Sequence, residues 1–252
     1  MVPRVKNFAR TTPPSHLSSH GTSSRVKRAL CLISLMVVAC GKPAESPKHE
    51  GHAHGFHHRF DDAASWAKVF DDPARDAWQK PGRVVEILDL RPGAAVADVG
   101  AGTGYFEPWL SRAVGPTGKV VALDVEASMV RWIEDRAKRE GLANVEARVC
   151  PPDGPGLEPG SVDRILIVDT WHHLDARPAY AAKLKAALRP GGSVWIVDFT
   201  KESPHGPPAH ARIPPAEVAA DLTAAGLSTK VVEDAGLPDQ YVVVGYTIAT
   251  GR

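Results

Sequence analysis

Cysteine is nearly missing. Of three in 252 residues, Cys31 and Cys40 fall within the first forty, and Cys150 stands alone beyond them. If Cys31 is removed and Cys40 is blocked, no intramolecular disulfide can form, even in an oxidising compartment. An excess of one charge is missing too. Thirty Lys and Arg against 29 Asp and Glu leave a formal net charge of +1, scattered rather than striped. That gives none of the electrostatic footprint of a nucleic-acid partner, and none is expected. No apolar run is long enough for a mature membrane span. Ala29–Cys40 holds about a dozen residues where about 20 are needed. No internal repeat is present, which sets aside solenoids. What remains, with 43% apolar and 23% charged residues, is room for one sizeable α/β domain and a tail, expected to be monomeric.

The tail has its own grammar. Residues 1–24 are rich in Ser, Thr, Pro and His, without periodicity. Arg25, Lys27 and Arg28 then precede the run ALCLISLMVVAC, which ends in small residues. Basic, apolar, small is the order of a secretory signal. The ending VVAC resembles a bacterial lipobox, which implies acylation of Cys40 and a lipid anchor for a domain on the periplasmic or cell-surface side. The alternatives are an ordinary signal or an uncleaved anchor. The basic region comes late for a signal. A start near Val26 gives a compact signal, and a start at Met36 leaves none and a cytoplasmic protein. Residues 41–60 read as a tether. His49, His52, His54, His57 and His58 lie within ten residues of it. Five imidazoles without fixed geometry make a solvated linker that takes up metal weakly.

Regular structure is expected from Asp61. An amphipathic helix over 61–70 is followed by Asp72 as N-cap with Pro73 at the first helical position. Pro81 opens a further helix that Arg91-Pro92-Gly93 stops. Strands are then expected at 95–100, 119–125, 145–150, 163–170 and 193–199. Helices are expected near 104–114, 176–189 and 214–226, with another capped by Ser128 and stopped by Gly141. Strand–helix alternation at this spacing predicts a parallel sheet with helices on both faces. The last two strands, 228–234 and 240–248, are too close for a crossover and predict an antiparallel hairpin at the sheet edge.

The stretch VADVGAGTGYF, residues 96–106, carries the chemistry. Gly100, Gly102 and Gly104 alternate with Ala101 and Thr103. A backbone that must approach a ligand closely cannot carry Cβ atoms there. The sixth place of a dinucleotide fingerprint is occupied by Tyr105, which weakens the pyrophosphate reading. A tight turn without ligand is the alternative. Asp98 sits inside an otherwise apolar strand, where burying a carboxylate is costly. It suits a cationic amine or the amides of the turn. Asp124 ends the second strand and can accept both hydroxyls of a ribose. The ligand so described is a nucleoside with a polar, possibly cationic, tail.

VADVGAGTGYF, VVALDVE, SVDRILIVDTWHHL and LRPGGSVWIVDF, in that order, resemble the motifs of class I S-adenosylmethionine-dependent methyltransferases. The resemblance runs from about Val84 to Ile248. It implies a Rossmann-like doubly wound sheet of seven strands, order 3-2-1-4-5-7-6, with strand 7 antiparallel. It implies S-adenosyl-L-methionine as cofactor, with Asp98, Gly100, Ala101, Gly102 and Gly104 at its methionine portion. Asp124 would hold the ribose, with Val125 and Met129 beside the adenine and Asp153 at the adenine amine.

Methyl transfer from a sulfonium is an in-line displacement governed by positioning, with a base needed only for an acceptor that must lose a proton. Asp169 and His172 are the candidates for acceptor contact or base duty, with His173 and Trp171 as further lining residues. Residues 61–90 are read as a helical cover in which Trp78 and Gln79 line the site. The alternatives are a packed Trp171 and a cover that only packs. A small-molecule methyl acceptor is expected. Because the donor is made in the cytoplasm, an exported lipoprotein that binds a nucleoside-like ligand or metal without catalysis is the alternative function.

Overall fold

The computed structural model describes Phe60 and residues 62–247. The expected signal, Cys40 and the five tether histidines lie outside the described residues.

Three short helices lead in: α1 (Ala63–Phe70), α2 (Asp76–Gln79) and α3 (Pro81–Ile87), with a 3-10 turn at Pro73–Arg75. Asp62 caps α1 by accepting from the Ser65 amide at 3.2 Å, and Asp72 caps the 3-10 turn by accepting from Ala74 N–H at 2.9 Å. Alternation follows: β1 (Ala95–Val99), α4 (Glu107–Val114), β2 (Lys119–Asp124), α5 (Ala127–Glu140), β3 (Val145–Val149), β4 (Val162–Val168), α6 (Arg177–Ala187), β5 (Leu188–Phe199) and α7 (Pro215–Ala224). The chain closes with β6 (Ser228–Val231) and β7 (Gln240–Tyr246). The sheet has the order β3-β2-β1-β4-β5-β7-β6, and β7 runs antiparallel to both β5 and β6. The expected topology and terminal hairpin are both present.

The period-2 geometry of β1 divides the core. Ala97 and Val99 join Ile165, Ile167, Val194 and Ile196 beneath α6 and α7. Val96, on the opposite face, joins Leu166, Val168 and Val197 beneath Val84 and Val85 of α3 and Leu110 and Val114 of α4. Both faces of the central strands are dry, as a parallel sheet requires. Each fully buried Leu, Ile or Val there contributes about 1.5–3 kcal/mol.

The element ends correct the sequence reading in four places. Helix α4 starts at Glu107 rather than 104, because Gly104 has φ +78° and cannot be helical. Strand β4 stops at Val168 because Asp169 takes φ +53°. Ser128 is not the cap of α5; it lies inside the first turn and its hydroxyl donates to the Phe60 carbonyl at 3.4 Å. The RPGG segment is a bulge within β5 rather than a turn before it. Val162 pairs with Leu188 and Arg164 with Ser193, so the intervening residues loop out. Gly141 does end α5, in the left-handed conformation expected of it.

Gly100 is fixed by the packing of two strand ends. At φ +77°, a Cβ on it would lie 2.4 Å from Thr170 Oγ1 and 2.5 Å from Thr170 Cγ2. Gly141, in the left-handed helical conformation at φ +69°, has nothing within 4 Å of its would-be Cβ. Gly141→Ala is therefore expected to cost about 1 kcal/mol, and Gly100→Ala about 2–4 kcal/mol, because overpacking is added to backbone strain. Urea denaturation of both variants checks this; equal losses would remove the contact with Thr170 as the reason for Gly100.

Candidate active site

Parallel strands that end on one edge bring four carboxylates together: Asp98 of β1, Asp124 of β2, Asp169 just after β4 and Asp198 of β5. Asp98 and Asp198 are each 2% exposed and Asp124 is 8% exposed. Burial of an uncompensated carboxylate is expensive, so each has a partner or a raised pKa.

Asp124 accepts from Gly102 N–H (2.8 Å) and Glu126 N–H (2.9 Å), yet burial still raises its pKa. Asp198 accepts from Phe199 N–H at 2.8 Å, and His172 Nδ1 lies 2.9 and 3.1 Å from its two oxygens. Asp169 belongs to a closed ring of four side chains. Arg75 Nη2 reaches Asp169 Oδ2 at 3.4 Å, and Arg75 Nε and Nη2 donate to Gln79 Oε1 at 3.1 and 3.0 Å. Gln79 Nε2 donates to Gln240 Oε1 at 2.7 Å, and Gln240 Nε2 donates to Asp169. Burial pushes Asp169 up to about 7, against the pull of Arg75. Asp98 is also pushed up to about 7 by burial, with Glu107 as its nearest carboxyl neighbour.

Four amides of the glycine turn are spent within the protein. Gly100 and Ala101 N–H both donate to the Leu123 carbonyl, at 2.8 and 3.0 Å. Gly102 N–H goes to Asp124, and Gly104 N–H to the Ala101 carbonyl at 3.0 Å. A phosphate-binding turn would keep such donors free. Acids beside amides that are already bonded instead suit a ligand that brings positive charge and hydroxyl donors.

The N-terminal segment covers this edge. A Cβ on Gly102 would lie 3.5 Å from the Phe70 ring. Trp66 stacks on Phe70 with centroids 5.3 Å apart, and Phe60 meets Trp66 edge-on at 4.8 Å. Asp71 anchors the segment, accepting from Thr103 Oγ1 and from Arg136 Nη1, each at 2.9 Å. The Phe70 carbonyl accepts from Arg75 Nη1 at 3.0 Å. A cleft lined by Asp71, Asp76, Tyr105, Trp109, Arg112 and Arg136 opens beside the segment and does not include Gly100, Gly102 or Asp124. The glycine turn itself lies under Phe70.

The sequence-predicted residues divide. Asp98, Gly100, Ala101, Gly102, Gly104 and Asp124 gather at the turn. Met129 is fully buried on α5, and Val125 is 51% exposed beside Asp124. Asp153 is held elsewhere: it pairs with Lys183 of α6 at 2.7 Å, which keeps its carboxyl below the usual range. Gln79 is buried in the ring, while Trp78 stacks on His205 at 4.4 Å and meets Phe199 at 5.9 Å. His173 lies 4.2 Å from His172 and 5.9 Å from Phe60 by ring centroids. Trp171 corrects the pocket-wall expectation. It is fully buried in the α6/α7 core, its indole N–H donating to Asp221 Oδ2 at 3.3 Å. Residue types alone cannot separate an indole that walls a pocket from one that packs a core.

Arg75, Glu107, Asp198 and Gln240 belong to the site without having been assigned a role. Asp198 carried a readable signal, a carboxylate in an apolar strand, as Asp98 did. Among the described residues, no group of three or more His, Cys, Asp or Glu is arranged to hold a metal, and no helix is long and apolar enough to cross a membrane. Cys150 is buried, and burial pushes its thiol up to about 12, which leaves it inert as a nucleophile.

Comparison with known proteins agrees with this geometry. A family profile described as "Methyltransferase domain" matches residues 96–192. The ubiquinone/menaquinone biosynthesis C-methyltransferase of Hydrogenovibrio crunogenus is 28% identical over 125 residues, 49% of this chain and 48% of its own. Nocamycin O-methyltransferase of Saccharothrix syringae is 32% identical over 114 residues, 45% of this chain and 41% of its own. The chain thus spans about half the length of the curated relatives it matches. The crystal structure of a SAM-dependent methyltransferase from Aquifex aeolicus superposes with a TM-score of 0.66 at 32% identity, covering 75% of this chain and 99% of that one. With seven strands in the order 3-2-1-4-5-7-6, a glycine turn after β1 and a buried acid at the ends of β1 and β2, the chain belongs to the class I S-adenosylmethionine-dependent methyltransferases.

Proposed function

We propose that this chain binds S-adenosylmethionine at the carboxyl ends of β1 and β2 and transfers its methyl group to a small-molecule acceptor over β4 and β5. The observation that carries the reading is the polarity of the turn. Its amides at 100, 101, 102 and 104 are internally bonded while Asp98 and Asp124 stand beside them. Such a site repels pyrophosphate and attracts an ammonium and ribose hydroxyls. When bound, S-adenosylmethionine supplies a methyl carbon already activated by a sulfonium. Asp98 would face the ammonium, and Asp124 the ribose through lone pairs that its two amide bonds leave free. Gly102, beneath Phe70, would give the backbone approach, with Val125 and Met129 at the adenine side. Asp153, tied to Lys183, is the weakest of the assigned contacts.

The chain's own task is then to hold the acceptor in line and to remove its proton. His172 Nδ1 is occupied by Asp198, which selects the tautomer with the proton on Nδ1 and leaves Nε2 as the basic nitrogen. Asp169, fixed by Arg75 and Gln240, supplies the second polar contact. Curated relatives are named as a C-methyltransferase of ubiquinone/menaquinone biosynthesis and as a nocamycin O-methyltransferase. For this chain we propose a hydroxyl or an acidic carbon on a small, partly apolar molecule, seated against Phe199 and the Trp78–His205 stack. The lipobox reading is kept with it: Cys40 would tether the enzyme to a membrane. Cell fractionation with mass analysis of the mature N-terminus checks that, and an unprocessed cytoplasmic chain would refute it.

Calorimetry with S-adenosylmethionine, set against NADH, tests the pocket. Binding of the first and none of the second is expected; the reverse overturns the assignment. Asp124→Ala is expected to weaken donor binding about 10- to 100-fold, the worth of one or two hydrogen bonds to a charged acceptor. His172→Gln is expected to lower turnover about 10²–10⁴-fold while leaving the donor Kd within about threefold. S-adenosylhomocysteine formation in the presence of phenolic and quinol acceptors is the readout.

A further inference from the structure

Glu107 is the odd residue of the site. It opens α4 at 1% exposure, and neither of its carboxyl oxygens has a hydrogen-bond partner among the described residues. A bare buried carboxylate is among the costliest arrangements a fold can hold. Its immediate neighbour is the carboxyl of Asp98. Two carboxylates at such range cannot both ionise, but a single proton between them satisfies one oxygen of each.

We infer that Asp98 and Glu107 form a carboxyl pair that keeps one shared proton in the free protein and releases it to solvent when the α-ammonium of the donor takes its place. This rests on the proposed donor site and adds to it a residue, Glu107, and a proton. Three observations support it. First, the cations nearby are committed elsewhere. Arg136 of α5 donates to Asp71, Glu140 and the Thr103 carbonyl. Arg75, from the 3-10 turn, donates to Gln79, Asp169 and the Phe70 carbonyl. Neither donates to Glu107, and the remaining charged group facing the pair is the like-charged Asp124 of β2. Second, the pair lies against the turn. A Cβ on Gly104 would stand 3.2 Å from Glu107 Oε2, which sets that carboxyl directly against the turn. Third, burial and the neighbouring acid push Glu107 well above its usual range, while Asp98 lies at about 7.

The charge balance is explicit. The free pair carries one proton and one negative charge. The ammonium arrives with one positive charge, the proton leaves to buffer, and two carboxylates then face it. Affinity for an ammonium-bearing ligand must therefore rise with pH through the range in which the free pair is protonated.

The test uses two ligands with one nucleoside. S-adenosylhomocysteine carries the amino-acid ammonium; 5′-methylthioadenosine lacks it. Titration of the full chain in buffers of different ionisation enthalpy, from pH 6 to 8, reads proton release directly. S-adenosylhomocysteine is expected to release up to about one proton, with affinity rising by up to about tenfold per pH unit at the acid end. 5′-Methylthioadenosine is expected to release none. In Glu107→Gln, where the amide donates to Asp98 in place of the proton, release should vanish and the pH slope flatten. Equal release in wild type and Glu107→Gln, or equal release by the two ligands, overturns this inference while leaving the donor site standing. Failure of S-adenosylhomocysteine to bind at all overturns both. The free proteins give an independent reading. A raised carboxyl pKa makes the folded state bind more protons than the unfolded one, so wild-type stability should fall from pH 5 to pH 8, and less so in Glu107→Gln. Should that variant not fold, Asp98→Asn removes the same shared proton and is read by the stability measurement, which needs no bound ligand.

Discussion

Four carboxylates must be buried on one edge of a parallel sheet, and the cost of that burial organises the molecule around it. Each acid is answered from a different direction. Backbone amides of the turn and of the residue entering α5 answer Asp124. An imidazole answers Asp198. A guanidinium and an amide from opposite ends of the chain answer Asp169. Asp98 has a second carboxyl. The consequence is structural as well as chemical. The N-terminal segment and β7 are joined not by apolar packing alone but by Arg75, Gln79 and Gln240, which exist in their present positions because Asp169 does.

The glycine turn serves the fold before it serves a ligand. Gly100 lets β1 end against Thr170, and Gly104 makes room for Glu107 and Ile133. Only Gly102 faces the side chain of a covering segment, Phe70. All three, at φ +77°, +59° and +78°, would be favoured as glycine even if nothing were bound. What distinguishes the turn as a site is the bonding of its amides and the acids beside it, rather than the glycines themselves.

Much of this was legible in the sequence. Alternation and spacing carried the strand and helix order, and the short separation of the last two strands carried the hairpin. Asp98 and Asp124 stood out because a carboxylate in or ending an apolar strand has no cheap explanation. Asp198 in SVWIVDF has the same character, but its role shows only through its partner His172, which lies 26 residues away in the chain. Gln240 was hidden by neutrality: an amide at the start of an apolar strand has an unremarkable composition, and only its partners from residues 79 and 169 reveal it. Glu107 was hidden by position, since an acid in the first turn of a helix is ordinarily a favourable, solvated residue. Its burial depends on tertiary packing of β1 and the turn, which no local pattern encodes. Trp171 failed for a similar reason. Its direction depends on the 3-10 turn after Asp169, whose positive φ turns the chain and sends the indole into the core.

Phe70 joins the two halves of the site through a single residue. Its ring rests over Gly102, and its carbonyl is held by Arg75, which also holds Asp169. The ring can swing about χ1 to another rotamer while the carbonyl stays with Arg75. The aromatic face over Gly102 can thus be repositioned without loosening the guanidinium that holds Asp169.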